Sequence, residues 1–318
     1  MAKKVFIAGH KGMVGSAICR SILDRGNYEI ITATHKELDL TIQRDTNLFI
    51  KKKKPDIIII SAAKVGGILA NSSYPVDFLC TNIMIQSNLI QSAFSEGVEK
   101  LLFLGSSCIY PKFSSQPIEE SSLLSGRLEK TNEFYAISKI AGLKMCEAFN
   151  NQYNTDYRCI MPTNLYGPGD TYHDKNSHVI PCLIKRFHDS KINRSKKVKI
   201  WGSGTPRREF LYVDDLADAC IDIINIERED YWKKIPKFNS HINIGTGKEV
   251  SIKELAMKIS NIVSYDGDLE FDLTKPDGTP RKLLNINIMK EFGINPKVLL
   301  DDGLTRTYAD YLKNYSKK

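Results

Sequence analysis

No stretch of this 318-residue sequence is apolar over the ~18 residues that a membrane-spanning helix requires. The first apolar run, residues 5–8, follows Ala2-Lys3-Lys4 and is too short for the core of a signal peptide. Internal repeats and low-complexity segments are also missing. With 42% hydrophobic and 26% charged residues, the composition is that of a globular protein with one large or two ordinary domains. We therefore expect a cytoplasmic protein without membrane contact.

Paired cysteines and metal-binding spacings are missing too. The sequence has no CxxC pair and no cysteine–histidine spacing typical of a metal site. We expect the thiols to be reduced and most of them to be buried as small apolar residues, and we expect no bound metal. The seven cysteines are Cys19, Cys80, Cys108, Cys146, Cys159, Cys182 and Cys220.

A clustered basic surface is not evident, although the formal net charge is +8. Lys and Arg residues are scattered, and the densest run, residues 51–54, has no interleaved aromatic side chains. Nucleic-acid binding needs a concentrated basic footprint. We therefore expect no nucleic-acid partner, because this charge balance suits an anionic small substrate at least as well.

The first half of the chain alternates short apolar runs with helix-like segments. Such a pattern predicts a parallel sheet covered by helices on both faces, the doubly wound (Rossmann) α/β fold, with its active site at the C-terminal ends of the strands. The predicted strands are residues 5–8, 29–32, 56–61, 101–104 and 156–161, and the longest predicted helices are about 82–94 and 133–150.

Beyond about Tyr166 the pattern loosens into a smaller C-terminal α/β region. Short strands are predicted at residues 198–201, 210–213 and 242–244, and helices from about Asp214 and Ser251, with Asp214 and Asp215 interpreted as a helix N-cap and its neighbour. We divide the chain into domains at residues 1–165 and 166–318. This boundary is soft, because the HINIGTG segment can return to the first sheet.

The segment VFIAGHKGMVGSA, residues 5–17, is typical of a strand, a tight glycine turn and the start of a helix. Glycines let the backbone approach a pyrophosphate, and the helix N-terminus favours its charge. Three glycines alone can be only a tight turn, but in the first unit of a doubly wound sheet they predict a dinucleotide site. The residues expected to line it are Gly9, Lys11, Gly12, Met13, Val14, Gly15, His35, Asp39, Leu40, Ala62, Ala63, Leu104, Gly105, Lys139, Pro162, Asn164, Leu165 and His178.

The end of the second predicted strand indicates which dinucleotide is bound. NAD sites usually carry an acid there for the ribose 2′-hydroxyl, whereas residues 32–36 read TATHK and Lys11 lies in the glycine loop. Basic residues at this position, with no acidic residue beside them, favour binding of a 2′-phosphate. We therefore predict that the cofactor is NADP. Asp39, just beyond, is expected near the adenine or as a loop cap.

Tyr135 and Lys139, in YAISK, share one face of a predicted helix. A tyrosine with a pKa near 10 is a poor acid-base catalyst at neutral pH, and we expect the neighbouring ammonium to lower that pKa. Such a pair also occurs by chance. Together with the glycine loop and Ser106 at the end of the fourth strand, it predicts an active site.

This combination resembles the extended short-chain dehydrogenases/reductases that act on nucleotide sugars. Members carry a GxxGxxG loop, a Ser or Thr four residues before a strand-end Tyr, and YxxxK. Ser106 before Tyr110, and Tyr135 with Lys139, match that pattern. The resemblance implies that Tyr135 donates a proton to the C4 oxygen of the sugar, that Ser106 hydrogen-bonds this oxygen, and that Lys139 holds the nicotinamide ribose.

Members of the family differ two residues before the strand-end tyrosine. The 4,6-dehydratases have Asp-Glu where this chain has Ser107-Cys108, and simple 4-epimerases usually have Thr. A cysteine at this position resembles one branch of the family. That branch converts GDP-4-keto-6-deoxy-D-mannose to GDP-L-fucose by inverting C3 and C5 and then reducing C4 with NADPH. The resembling stretches are GHKGMVGSAI, GSSCIYP, TNEFYAISK, MPTNLYGP, NSHVIP, WGSGTPRREF and KPDGTPRKLL.

The resemblance also implies further site residues. Cys108 and His178 are expected to be the acid-base pair on opposite faces of the sugar, since thiol and imidazole both titrate near neutrality. The expected substrate contacts are Asn164, Val179, Arg186, Trp201, Arg208 and Asp277. Each of these residues could instead have a purely structural role. Trp201 would then be a core residue, Arg186 and Arg208 surface cations, His178 a structural histidine, and Cys108 a small buried residue.

Two departures from the family pattern predict a milder NADP preference. Lys11 stands where an arginine is expected, and His35 where a permanent cation is expected, so both would contact a 2′-phosphate less rigidly. Two alternative functions stay open. One is a reductase for a related GDP-4-keto sugar, such as a heptose, with epimerisation wholly or partly by another enzyme. The other is a non-catalytic NADP-binding protein, which would be expected to lose Ser106, Tyr135 and Lys139.

The resemblance implies a homodimer as well. In this family two helices from each subunit form a four-helix bundle. The segments 82–94 and 133–150 both carry apolar residues on more than one face, which suits that arrangement.

Overall fold

The computed structural model describes residues 2–26, 28–173, 177–275 and 277–316. Its strands are β1 Lys3–Ala8, β2 Tyr28–Ile31, β3 Ile57–Ile60, β4 Lys100–Leu104, β5 Asp156–Pro162, β6 Asn164–Tyr166, β7 Lys197–Trp201, β8 Arg207–Tyr212, β9 His241–Ile244, β10 Glu249–Ser251, β11 Asp268–Asp272 and β12 Arg281–Lys282. Its helices are α1 Met13–Arg25, α2 Gln43–Lys53, α3 Ile68–Ser73, α4 Asn82–Ser95, α5 Glu133–Tyr153, α6 Val179–Ile192, α7 Val213–Asn225, α8 Arg228–Lys234, α9 Ile252–Val263, α10 Asn287–Glu291 and α11 Leu300–Asn314.

Six strands form one parallel sheet in the order β2-β1-β3-β4-β5-β9. The predicted doubly wound fold is confirmed, and its five predicted strands differ from the observed ones by one or two residues at their ends. The chain direction along the sheet reverses between β1 and β3. Ligands of such sheets bind outside the carboxyl ends of the strands at that point.

The strands of the large sheet are apolar because both of its faces are covered. All four isoleucines of β3 are buried. Helix α1 packs on α7, and α4 packs between α2 and α5. Strand β9 completes the edge of this sheet beside β5, so the HINIGTG segment returns to it late in the chain.

A second group of strands lies beyond the end of β5. Strand β8 pairs antiparallel with β10 and in parallel with β6 and β12, and β7 pairs in parallel with β11. Helices α6, α9 and α11 enclose a separate apolar core with these strands. The connection from β5 to β6 spans a single residue, Thr163, so the two groups of strands adjoin at the end of β5.

The predicted N-cap of the helix at Asp214 was wrong. Helix α7 begins after Tyr212, so Asp214 and Asp215 lie inside its first turn rather than at the N-cap. Asp214 pairs with Arg20 of α1 at 2.6 Å, and Asp215 accepts hydrogen bonds from the backbone of residues 297–298. Carboxylates are stabilised in this turn by the helix dipole, and these two also join α7 to its neighbours.

The burial of the cysteines was also predicted wrongly. None of the seven cysteines forms a disulfide, but only Cys146, Cys159 and Cys220 are buried. Cys80 is exposed in a π-helical turn, Asp77–Thr81, and the remaining three are half-buried. Within the described ranges, no helix combines the length and apolarity needed to cross a membrane.

Candidate active site

The glycine loop joins β1 to α1 at the point where the strand order reverses. Gly9 has φ +90°, and a Cβ there would lie 2.7 Å from the backbone nitrogen of Ala62. A Cβ at Gly15 would lie 2.2 Å from the carbonyl oxygen of Gly9. Helix α1 begins at Met13, after Gly12, with no side-chain cap and no acid in its first turn. The first backbone N–H groups of α1 therefore fit an anion such as a pyrophosphate.

The loop after β2 holds the residues expected at the 2′-position of the cofactor. His35 has 82% of its side chain exposed, and its Nδ1 lies 4.0 Å from the carboxylate of Asp39. Asp39 accepts hydrogen bonds from the backbone N–H and the hydroxyl of Thr41, at 2.9 and 2.7 Å. Of the two expectations for Asp39, these contacts match the loop cap.

Glu37 is an acid beside this loop that sequence reasoning missed. Its carboxylate accepts a 2.8 Å hydrogen bond from the backbone N–H of Thr34. That bond, with smaller contributions from the charges of Lys11 and His10, holds the pKa of Glu37 below its usual value. The Thr-x-x-Glu spacing of a capping box could have revealed it.

Lys139 is buried on α5 beneath the end of β4. Its ammonium donates a 2.8 Å hydrogen bond to the carbonyl oxygen of Leu104, and only 4% of the residue is exposed. Burial lowers the pKa of Lys139 to about 8. Tyr135 and Lys139 lie on one face of α5, as their i, i+4 spacing predicts. The Lys139 nitrogen is 5.9 Å from the centre of the Tyr135 ring.

The predicted lowering of the Tyr135 pKa is not found. Burial raises the pKa of this phenol well above its ordinary value, the neighbouring Cys108 adds to the rise, and the Ser106 hydroxyl opposes it. The reason is that the Lys139 ammonium is directed at Leu104, so desolvation of the phenol dominates. Tyr135 is thus held in its protonated form, which can donate a proton.

Cys108 follows β4 in a short 3-10 turn, Ser107–Ile109, that places it beside Tyr135. The Ser106 hydroxyl accepts the backbone N–H of Cys108 at 3.2 Å and fixes the turn. The sulfur accepts hydrogen bonds from Asn132 Nδ2 at 3.2 Å and from Lys282 Nζ at 3.7 Å. Cys108 is half-buried and surrounded by polar groups, so it is not a simple core residue.

Arg208 on β8 extends the same cluster. Burial lowers the pKa of its guanidinium, against the opposing influence of Cys108, Asp277 and Glu129. Lys282 is its register partner on β12. Arg208 is therefore not a freely solvated surface cation.

The remaining residues at the strand ends come from β6 and α6. His178 immediately precedes Val179, the first residue of α6. Its side chain is exposed to solvent, and partial desolvation by the surrounding protein lowers the imidazole pKa. Within the described part of the chain, no hydrogen bond joins His178 to Cys108. Asn164 Nδ2 donates a hydrogen bond to the carbonyl oxygen of Glu209 at 2.8 Å. The NH₂ group of this side chain therefore links β6 to β8.

A second cluster lies at the end of β7. The guanidinium of Arg186 lies 5.9 Å and the ammonium of Lys275 5.7 Å from the ring centre of Trp201, which is 50% exposed. Trp201 is therefore not a core residue. Asp277 accepts hydrogen bonds from the backbone and hydroxyl of Ser203, at 2.7 and 2.9 Å, and closes the turn after β7.

Asp277 also connects the two clusters, because its charge acts on Arg208. The two resembling stretches that frame these clusters include Asn176 and Pro276, which lie outside the described residues. In the ranges that the structure describes, no three His, Cys, Asp or Glu side chains are grouped to hold a metal ion. The serine, cysteine, tyrosine and lysine at the end of β4 suit organic acid-base chemistry beside a dinucleotide-binding loop.

Comparison with known proteins gives close relatives. A family model described as the NAD dependent epimerase/dehydratase family matches residues 5–245. The chain is 53% identical over 311 residues to GDP-L-fucose synthase 1 of Arabidopsis thaliana, covering 98% of this chain and 94% of the relative. It is 50% identical over 315 residues to GDP-L-fucose synthase of Escherichia coli strain K12, covering 99% and 98%.

Solved structures agree with this assignment. A GDP-6-OMe-4-keto-L-xylo-heptose reductase from Campylobacter jejuni superposes with a TM-score of 0.93 at 35% identity, over 98% of both chains. A GDP-mannoheptose C4 reductase from the same organism, with NADP bound, superposes with a TM-score of 0.88 at 36% identity, also over 98% of both chains. On its sequence matches and its fold, the chain belongs to the NAD dependent epimerase/dehydratase family.

Proposed function

We propose that this enzyme converts GDP-4-keto-6-deoxy-D-mannose to GDP-L-fucose by inverting C3 and C5 and then reducing C4. The observation that carries the proposal is the convergence of Ser106, Cys108, Tyr135 and Lys139 at the end of β4, beside a loop fitted to a dinucleotide. Relatives identical at half of their positions are GDP-L-fucose synthases, which supports the same reaction here.

The reducing cofactor is NADPH, which supplies the hydride for C4 when bound. The open N-terminus of α1 would hold its pyrophosphate, and Lys11 and His35 would face its 2′-phosphate. Glu37 acts against that preference, because its carboxylate lies close enough to Lys11 to feel its charge. A relative in the same fold carries NADP, which supports this choice.

Tyr135 is the proton donor in the reduction step. Burial raises the pKa of the phenol, so Tyr135 is protonated at neutral pH. It gives its proton to the C4 oxygen because that oxygen becomes more basic than the phenolate as it gains negative charge. The Ser106 hydroxyl donates a hydrogen bond to the same oxygen. Lys139 is fixed at the end of β4 by its hydrogen bond to Leu104, and it would hold the nicotinamide ribose.

Epimerisation uses the acidity that the C4 ketone gives to the hydrogens on C3 and C5. Inversion needs a base on one face of the sugar and an acid on the other. Cys108, on the wall formed by β4, removes the proton, and His178, from the α6 side, returns one to the opposite face. Thiol and imidazole suit this work at neutral pH, where such transfer contributes roughly 10²–10⁴-fold.

The GDP part of the substrate binds across the second cluster. Arginines pair bidentately with diphosphates, and an exposed indole beside two cations offers a flat face for a base or sugar. Asp277 would accept hydrogen bonds from guanine with its remaining lone pairs. The proposed substrate contacts are Asn164, Val179, Arg186, Trp201, Arg208 and Asp277.

We place the enzyme in the cytoplasm as a homodimer. Seven cysteines without a disulfide suit a reducing compartment. Apolar side chains are exposed on the outer faces of α4 and α5, which would pair with the same helices of a second copy. They are Met84, Phe94, Phe134, Ile137 and Tyr153.

A second candidate is C4 reduction of a GDP-4-keto-heptose, favoured by the high structural similarity to two GDP-heptose reductases. Purified enzyme supplied with NADPH and each GDP-4-keto sugar separates the two functions. We expect the higher kcat/KM with GDP-4-keto-6-deoxy-D-mannose, and in D₂O a product deuterated at C3 and C5. A higher kcat/KM with the heptose, or a product without deuterium, would favour the second function.

A further inference from the structure

The hydroxyl of Tyr110 is buried between two side chains of β9. Only 3% of this residue is exposed. Its oxygen lies 2.8 Å from Nε2 of His241, and its O–H group donates a hydrogen bond to Oδ1 of Asn243. His241 and Asn243 are two residues apart on one strand, so their side chains lie on the same face of the sheet. The segment that follows β4 is therefore attached to β9, the edge strand on the far side of β5.

The direction of each hydrogen bond in this group is fixed by the neighbouring bonds. Nδ2 of Asn243 donates to two carbonyl oxygens, those of Ile118 and Asn285, at 3.0 and 3.2 Å. Its Oδ1 is therefore the acceptor for Tyr110, and because a hydroxyl has a single proton, the Tyr110 oxygen must accept from Nε2–H of His241. Burial lowers the pKa of His241 to about 3, so the imidazole is neutral at pH 7. Its proton on Nε2 agrees with Nδ1, which is buried without a hydrogen-bond partner within the described residues.

Asn243 also holds two further segments together. Its backbone N–H donates to the carboxylate of Glu120 at 3.0 Å, next to the bond from its side chain to Ile118. Ile118 N–H donates to the carbonyl oxygen of Leu283, and Asn285 N–H donates to that of Ile118, both at 2.8 Å. The segment 283–285 directly follows β12. Asn243 thus connects the segment after β4, the segment 118–120 and the end of β12.

These three segments border one small pocket at the end of β4. Ser107, Cys108, Tyr110, Ile118 and Lys282 all line it. Cys108 is half-buried there. Both hydrogen bonds of the Tyr110 hydroxyl go to β9, so this hydroxyl acts on the pocket through the chain that it anchors.

The turn that carries Cys108 is fixed at both of its ends. At its start, the hydroxyl of Ser106 accepts the N–H of Cys108, and the carbonyl oxygen of Ser106 accepts the N–H of Ile109, both at 3.2 Å. At its other end is Tyr110, two residues after Cys108. Tyr135 belongs to a different element, α5. Loss of the Tyr110 hydroxyl therefore releases one end of the turn and leaves Tyr135 in place.

We propose that Tyr110 is a positioning residue: by its attachment to β9 it fixes the place of Cys108 against the sugar, and so determines whether C3 and C5 are inverted before C4 is reduced. This role rests on the proposed function, in which Cys108 removes the protons from C3 and C5. A displaced sulfur slows that removal, because proton transfer needs hydrogen-bond reach. Reduction at C4 depends on Tyr135 and is not slowed to the same extent, so more of the ketone is reduced without inversion.

Reaction in D₂O with NADPH and GDP-4-keto-6-deoxy-D-mannose tests this role, because inverted centres carry deuterium and untouched ones do not. Mass spectrometry of the reduced sugar gives the ratio of undeuterated to deuterated product. Tyr110→Phe removes the hydroxyl and keeps the ring. We expect it to raise this ratio roughly tenfold, since a misplacement of about 1 Å can cost ~10²-fold in rate. The matched control is Tyr265→Phe, in the second apolar core, which loses a 2.8 Å hydrogen bond to the carbonyl oxygen of Ser195 and should leave the ratio unchanged.

His241 offers a second pair of variants. His241→Gln keeps an N–H donor near the position of Nε2 and should retain the wild-type ratio. His241→Leu leaves the Tyr110 oxygen without that donor and should raise the ratio. A general loss of folded enzyme lowers both products equally, so the ratio reports positioning even for a variant that folds poorly.

The outcomes separate the positioning role from the proposed function. An unchanged ratio in Tyr110→Phe would overturn the positioning role and leave the proposed function standing. A ratio raised equally in His241→Gln and His241→Leu would also overturn it, since the hydrogen bond to Tyr110 would then have no part in the effect. Wild-type enzyme that yields no deuterated product would overturn the proposed function, and the positioning role with it.

Discussion

The ammonium of Lys139 donates a 2.8 Å hydrogen bond to the carbonyl oxygen of Leu104, the last residue of β4. The contact fixes a buried cation under the strand end where Ser106 and Cys108 follow. Burial costs free energy for the charged form, which is why the pKa of Lys139 falls from 10.5 to about 8.

Replacing Lys139 by methionine should stabilise the fold at neutral pH. The shift from 10.5 to about 8 corresponds to roughly 3 kcal/mol against the charged form, and loss of the hydrogen bond offsets about 1–2 kcal/mol of that. Between pH 8 and 10.5 the unfolded lysine holds its proton more tightly than the folded one, so wild-type stability rises with pH there. The gain of Lys139→Met, measured by urea unfolding, should therefore shrink between pH 7 and pH 10; a constant gain contradicts this.

Replacing Tyr135 by phenylalanine should lower the rate of C4 reduction by about 10²–10⁴-fold, since the proton donor is lost. NADPH binding, followed by fluorescence titration, should stay within twofold of wild type. Tyr153→Phe, an exposed tyrosine at the far end of α5, serves as the control. Intact turnover in Tyr135→Phe would disprove the reductase mechanism.

The large sheet was predictable because its strands are continuously apolar, as in the four isoleucines of β3. The glycine loop and the Tyr135–Lys139 pair were predictable because each is local in sequence. The contact between Lys282 and Cys108 was not, because it joins residues 174 positions apart through a strand of two residues. Short strands carry almost no periodicity, and their register depends on tertiary pairing.

The pKa of Tyr135 shows a second limit of sequence reasoning. The i, i+4 spacing predicted that two side chains share a face, and they do. Where the ammonium of Lys139 points depends on the carbonyl groups nearby, which a helix pattern does not report. Glu37 is a similar case, because its distance from Lys11 depends on how the loop after β2 folds.

NADPH should bind at least about tenfold more tightly than NADH, because Lys11 and His35 can face a 2′-phosphate. Glu37→Gln should widen this ratio by roughly another threefold, since it removes a charge that repels the phosphate. Glu291→Gln, at an exposed acid that ends α10, is the matched control. Equal dissociation constants for the two cofactors in wild type would refute the NADP preference.

Light scattering should give a mass near twice 36.0 kDa. Met84→Glu places a charge on the exposed face of α4 and should shift the mass toward the monomer, because an unpaired charge is costly inside an apolar interface. Leu23→Glu makes the same change on α1, at an exposed residue outside the proposed interface, and should leave the dimer intact. A wild-type mass near 36.0 kDa would exclude the bundle.

Cys108→Ser should abolish deuterium incorporation at C3 and C5 while NADPH still reduces the unepimerised ketone slowly, because Tyr135 and Ser106 are untouched. Cys19→Ser, at another half-buried thiol, should leave exchange unchanged. His178→Gln should slow exchange as well, because the acid on the opposite face of the sugar is lost. Normal exchange in Cys108→Ser would leave Cys108 without a role in the epimerisation, and normal exchange in His178→Gln would assign the acid to another group.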